Sequence, residues 1–99
     1  MRVWSRLVAA SESGTIWLVQ LVFTPHGWSD HLHWQSVDKK TVTRINRVIE
    51  HTLRDPFAGI GKPEPLRHVL QSCWSRRIGA EHRLVYMVED EEVVILQAR

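Results

Sequence analysis

Apolar residues run almost unbroken from position 16 to 23, "IWLVQLVF", with β-branched and aromatic side chains that predict a buried strand. Thr24-Pro25 then reads as a helix start, with threonine as the cap and proline at the first helical position, where its missing N–H is harmless. Trp28, Leu32 and Gln35 recur at helical spacing behind it. Asp38 is placed to cap a second helix, "KKTVTRINRVIEHTLR". Its Val42, Ile45, Ile49 and Leu53 form one apolar stripe, while Arg44, Arg47, Glu50 and Arg54 fall largely on other faces. The Pro- and Gly-rich "DPFAGIGKPEP" predicts a loop.

In the last third the period drops to two. "CWSRRI" and "HRLVYMV" flank Gly79-Ala80-Glu81, a three-residue hairpin connection. "EDEE" turns the chain again, and "VVILQA" completes a meander. Alternation puts Leu84, Tyr86 and Val88 on one side of their strand and Arg83, Val85 and Met87 on the other. In the preceding strand Trp74, Arg76 and Ile78 share a side, with Ser75 and Arg77 opposite. The order β-α-α-β-β-β predicts an α+β domain, an antiparallel sheet with two helices packed on one face. The other face is left for function. No internal repeat interrupts this reading; residues 1–18 are expected to be a loosely ordered extension and 19–99 the domain.

Composition changes the picture little. Ninety-nine residues make one domain, and 43% apolar with 24% charged residues is ordinary for a soluble protein. Five tryptophans are many for this length and serve best as core or interface anchors. A single cysteine, Cys73, excludes an internal disulfide and a CxxC metal knuckle. The six histidines form neither HExxH nor a cluster with cysteine, so no metal and no cofactor is expected. Neither a secretory leader nor a span of about 20 apolar residues is present, which points to the cytoplasm.

Charge is more informative. The formal net charge is only +2, yet residues 62–83 carry five cations against two acids, and the remainder is slightly acidic. A local basic patch suggests a polyanionic partner such as nucleic acid, or else a merely solvated face. If Ile78 faces His82 across the hairpin, Arg77 lies directly opposite Arg83. Like charges so placed destabilise a sheet, so either an anion sits between them or they splay into water. Nearby, "GKPEPLRH" holds Glu64 between two prolines on a stiff, non-helical backbone among cations. By itself such a segment is a rigid turn; beside the arginines it becomes a positioned acid.

"DPFAGIGK", "KPEPLRH", "WSRRI" and "EHRLVY", preceded by a tryptophan-bearing helix pair, resemble the YoeB toxins of the RelE-type superfamily of bacterial type II toxin–antitoxin systems. The likeness runs from about Leu21 to Arg99. It implies a small microbial-ribonuclease-like fold, metal-independent cleavage of mRNA in the ribosomal A site, homodimers, and inhibition by a YefM-like antitoxin. Carried over, Glu64 matches the family's general base and Arg83 its catalytic arginine, and Lys62, Arg67 and Arg77 match basic positions around the RNA. Two departures stand out. The family's "GFW" reads Ser72-Cys73-Trp74, and the family pattern continues past Arg99 into a tail whose histidine the resemblance gives the role of general acid. A chain ending at Arg99 is therefore expected to cleave poorly.

The residues and the resemblance meet in one chemistry. A metal-free ribonuclease needs a base for the ribose 2′-OH, cations for the charge of the transition state, and an acid for the leaving 5′-oxygen. Glu64 suits the first role and Arg83 the second, with Arg77, Arg67 and Lys62 assisting. His82 adjoins Arg83 but should point to the opposite side of the strand; His68 has no fixed direction; His26, His31 and His33 are expected at the surface or an interface. Two rivals remain. One is a non-catalytic module that binds RNA or an acidic peptide on the same face; the other is a dimerisation domain built on the first helix.

Overall fold

The computed structural model describes residues 2–3, 19–67 and 72–99. Strands β1 (Arg2–Val3) and β2 (Gln20–Phe23) precede helices α1 (Pro25–Val37) and α2 (Lys39–Arg54). Then come β3 (Glu64–Pro65), β4 (Cys73–Arg77), β5 (Arg83–Glu89) and β6 (Glu92–Ala98). They form one sheet in the order β1-β2-β6-β5-β4-β3. Of the expected strand at 16–23, residues 16–18 lie outside the described residues, as does most of the expected 1–18 extension. Arg2–Val3 is the exception and pairs antiparallel with β2.

The sheet is mixed, not wholly antiparallel. The β4–β5–β6 meander is antiparallel as expected, with Arg77 opposite Arg83 and Ile78 N–H donating to the His82 carbonyl. β2, however, docks on the open edge of β6 in parallel, Leu21 opposite Val93 and Phe23 opposite Ile95. Alternation reports which side chains face in, but not which edge a distant strand joins or in which direction.

Both helices start where their caps predict. The Thr24 hydroxyl accepts from Gly27 N–H at 3.0 Å with Pro25 behind it, and Asp38 accepts from Lys40 N–H. The Thr41 hydroxyl above all, aided by that N–H, holds the Asp38 carboxyl below its usual value. Its contribution to folding is therefore present above the ordinary aspartate range and is lost as pH falls through the lowered value. Ile45, Val48, Ile49 and Thr52 of α2 are buried, with Val42 and Leu53 at the margin, as the apolar stripe predicts.

α1 differs from its expected face. Its buried residues are Gly27, Asp30, His31 and Trp34, while Leu32 is 45% exposed. Two of these, Asp30 and His31, are polar, so no hydrophobic stripe announces the face; specific contacts accommodate them instead. His31 stacks on Trp28 and lies between Asn46 and the Gln35 amide, at 2.9 and 3.1 Å. Asp30 accepts from Ala98 N–H at 3.0 Å, and the Trp34 indole N–H donates to the Ala98 carbonyl at 2.8 Å. α1 thus fastens both backbone groups of the last residue of β6. The core joins Phe23, Trp34, Ile45, Val48 and Ile49 to Ile78, Leu84, Tyr86, Val93, Ile95 and Ala98.

Gly27 sets how closely α1 approaches the sheet. A Cβ there would collide with the backbone carbonyl of Ile95. Alanine at an ordinary helical position gains about 1 kcal/mol over glycine, but forcing atoms into a packed contact costs about 1–3 kcal/mol, and a backbone carbonyl cannot rotate aside. Gly27→Ala should therefore lower the melting temperature by several degrees in a thermal melt; an unchanged or raised midpoint would contradict this packing.

Candidate active site

Glu64 lies on the sheet itself rather than in a loop. β3 is an edge strand in which Glu64 pairs with Ser75 and Pro65 with Trp74, and an edge is where a strand tolerates proline. Two backbone bonds bracket it: Arg77 N–H to the Gly61 carbonyl at 2.6 Å and Leu66 N–H to the Cys73 carbonyl at 2.8 Å. Gly59 and Gly61 have positive φ, and Lys62 sits at φ 50, a left-handed conformation that costs a lysine about 1–3 kcal/mol. That turn redirects the chain from the 55–61 loop into β3.

What shapes the loop is Arg76, fully buried on the helix side. Its guanidinium donates to the carbonyls of Asp55, Ala58 and Ile60, and its Nε to the Tyr86 hydroxyl at 3.1 Å. The Tyr86 hydroxyl in turn donates to the Pro56 carbonyl at 2.6 Å. Burial raises the pKa of this phenol, outweighing the opposing influence of Arg76, so it remains a donor. The cation also sits at the C-terminal end of α2, where carbonyls favour positive charge. Alternation had put Arg76 on this side; that it organises the Glu64 segment through carbonyls far away in the chain could not be read from it.

On the opposite face the predicted residues converge. Arg83 Nη1 lies 3.9 Å from Glu64 Oε2, with the two side chains 40% and 55% exposed. The same Nη1 donates to Ser75 Oγ at 3.1 Å. Ser75, only 1% exposed, carries no sequence signal of a role in the site beyond the alternation that assigns it to this face. Its short hydroxyl sits between β3 and β5 and steers the guanidinium toward Glu64. Arg77 is exposed and stands opposite Arg83. Its N–H is spent on Gly61, so this is a non-hydrogen-bonded pair, the kind in which facing side chains come closest.

The other candidates are looser. Lys62 is exposed beside the Gly61–Arg77 backbone contact. Arg67 is exposed beyond the far end of β3, and among the described residues no hydrogen bond or ion pair ties it to Glu64 or Arg83. His82 packs edge-on against Trp34 at 4.8 Å, on the helix side, and His68 lies outside the described residues. Cys73 is buried, and burial pushes its thiol pKa up, which makes it a poor nucleophile. Among the described residues no group of three or more His, Cys, Asp or Glu could hold a metal, and no helix is long and apolar enough to cross a membrane.

An ion pair this exposed contributes at most about 1 kcal/mol to stability. The contact is therefore easily exchanged, leaving Arg83 free to take a phosphate oxygen and Glu64 free to take a proton. An acid and a guanidinium side by side on an open sheet, with a second guanidinium opposite, can do the work of base and anion stabiliser together.

The sequence pattern of the family described as "YoeB-like toxin of bacterial type II toxin-antitoxin system" matches residues 23–99. Toxin YoeB of Streptomyces coelicolor is 53% identical over 81 residues, covering 82% of this chain and 96% of that one. The YoeB dimer of Staphylococcus aureus superposes with a TM-score of 0.77 at 38% identity, covering 83% of this chain and 95% of that one. The toxin in the heterotetrameric YoeB–YefM complex of Staphylococcus aureus gives 0.75 at 39% identity, with 82% and 94% covered.

Proposed function

The chain belongs to the YoeB-like toxins of bacterial type II toxin–antitoxin systems, and from that premise we propose that it is a ribosome-dependent, metal-independent mRNA endonuclease that inhibits translation in the cytoplasm. The observation that carries this reading is the approach of Glu64 to Arg83 at 3.9 Å on an open sheet face, with Arg77 opposite. Glu64 takes the proton of a ribose 2′-OH. The 2′-oxygen attacks the adjacent phosphorus, the bond to the 5′-oxygen breaks, and that oxygen takes up a proton from water as it leaves. Arg83 and Arg77 stabilise the extra charge on phosphorus, their planar forks each able to hold two oxygens. Lys62 and Arg67 bind the strand on either side. Removing one such stabilising donor typically costs about 10²–10³ in rate.

The same openness supports dependence on the ribosome. Orienting a reactant is worth roughly 7–11 kcal/mol of barrier, and an exposed face cannot hold RNA bent by itself. A large particle presenting the message already positioned supplies that term. The partners that fit are a second copy of the chain and a YefM-like antitoxin, whose acidic segment would cover the cationic face and fold as it binds.

Incubated with programmed ribosomes, the protein should cut mRNA slowly, since no described residue is placed as the acid, and leave a 2′,3′-cyclic phosphate upstream and a 5′-hydroxyl downstream. Cutting should persist in EDTA and disappear when the scissile nucleotide is 2′-deoxy. Products with 5′-phosphate ends would exclude the mechanism, and RNA binding without any cutting would favour the binding-module alternative.

A further inference from the structure

We propose that Arg99 is a third phosphate-binding arginine, completing a row Arg77–Arg83–Arg99 across β4, β5 and β6. The proposal rests on the reading of this face as the RNA-binding face. Arg77 is the registered partner of Arg83, and Leu84 is the registered partner of Ala98. One step further along the antiparallel pair β5–β6, the residue facing Arg83 is Arg99. Side-chain alternation agrees. Leu84 and Ala98 are both fully buried on the helix side, so Arg83 and Arg99 project to the other. Arg99 is exposed, and Gln97, on the same side as Arg99, donates its amide to the Arg99 carbonyl at 2.8 Å.

The position is held from beneath. Asp30 and Trp34 take both backbone groups of Ala98, so the strand cannot fray before Arg99 emerges beside Arg83. This gives the otherwise unexplained buried carboxylate and indole of α1 a role on the far side of the sheet. Strands lie about 4.8 Å apart, so three arginines on adjacent strands span about 10 Å. Such a row runs across the strands, long enough to engage two neighbouring phosphates of one RNA chain. Glu64 reaches the row from the β3 edge, 3.9 Å from Arg83, where it can take the proton of the 2′-OH beside the phosphate held there.

The test is the salt dependence of binding, read with a non-cleavable 2′-O-methyl oligonucleotide by fluorescence anisotropy. For a single strand each neutralised phosphate adds about 0.7 to the slope of log K against log salt. Arg99→Gln should flatten that slope by about 0.7, as should Arg83→Gln, without moving the melting temperature. Arg47→Gln, on the exposed side of α2, should leave it unchanged. A slope that shifts for Arg83→Gln but not for Arg99→Gln would end the row at Arg83 and overturn the proposal while leaving the proposed function intact. If neither variant shifts it, RNA does not dock on this face and both readings fall.

Discussion

Glu64→Gln should reduce ribosome-dependent cleavage by about 10²–10⁴, the range that a positioned base contributes, without loosening RNA binding. The amide has the shape of the acid, and the backbone bonds that bracket β3 do not involve the side chain. The exposed contact with Arg83 adds at most about 1 kcal/mol, so the melting temperature should hardly move. Affinity should hold or rise, because the change removes a negative charge 3.9 Å from the guanidinium proposed to bind phosphate. The signature is a fall in kcat with no increase in KM, as expected when the lost interaction is made only in the transition state. Cleavage at an unchanged rate would place the base elsewhere; a rise in KM alone would make Glu64 a binding residue.

Arg76→Met should destabilise the domain by at least about 3 kcal/mol and abolish activity, although Arg76 lies on the face opposite the chemistry. Methionine fills similar space but donates nothing. The carbonyls of Asp55, Ala58 and Ile60 and the Tyr86 hydroxyl would then lose their donor together. Each buried group left unpaired costs about 1–3 kcal/mol, far more than the net gain of an ordinary hydrogen bond. Part of that cost can be relieved if the 55–61 loop swings into water, but the swing releases the Gly61–Arg77 bond and with it the placement of Glu64. For a domain of this size the melting temperature should fall by more than about 10 °C. Arg76→Lys should recover only part of the loss, since an ammonium cannot reach partners arranged around a planar fork. A melting temperature for Arg76→Met within a degree or two of the parent would show that the loop holds itself.

Three neighbours in "SRR" thus divide the work between two faces. Ser75 steers Arg83, Arg76 shapes the loop from inside, and Arg77 stands opposite Arg83 on the face that carries Glu64. Alternation alone separated Arg76 from the other two, and the hairpin length alone placed Arg77 opposite Arg83. Glu64 was legible as a restrained acid from its two prolines. Its pairing with Ser75 was not, because a two-residue edge strand has no period to detect.

Helix starts, the stripe of α2, the hairpin and its register were all determined by the amino-acid order. Each depends on a cap, a period or a turn acting within a dozen or so residues. The parallel docking of β2 on β6, the polar inner face of α1 and the burial of Arg76 were decided only in the folded molecule. Asp30 and Trp34 meet Ala98 across 68 and 64 residues, and Arg76 reaches Asp55 across 21. Whether a carboxylate or a guanidinium is admitted to an interior depends on the partner waiting there, and local pattern carries no record of partners so distant.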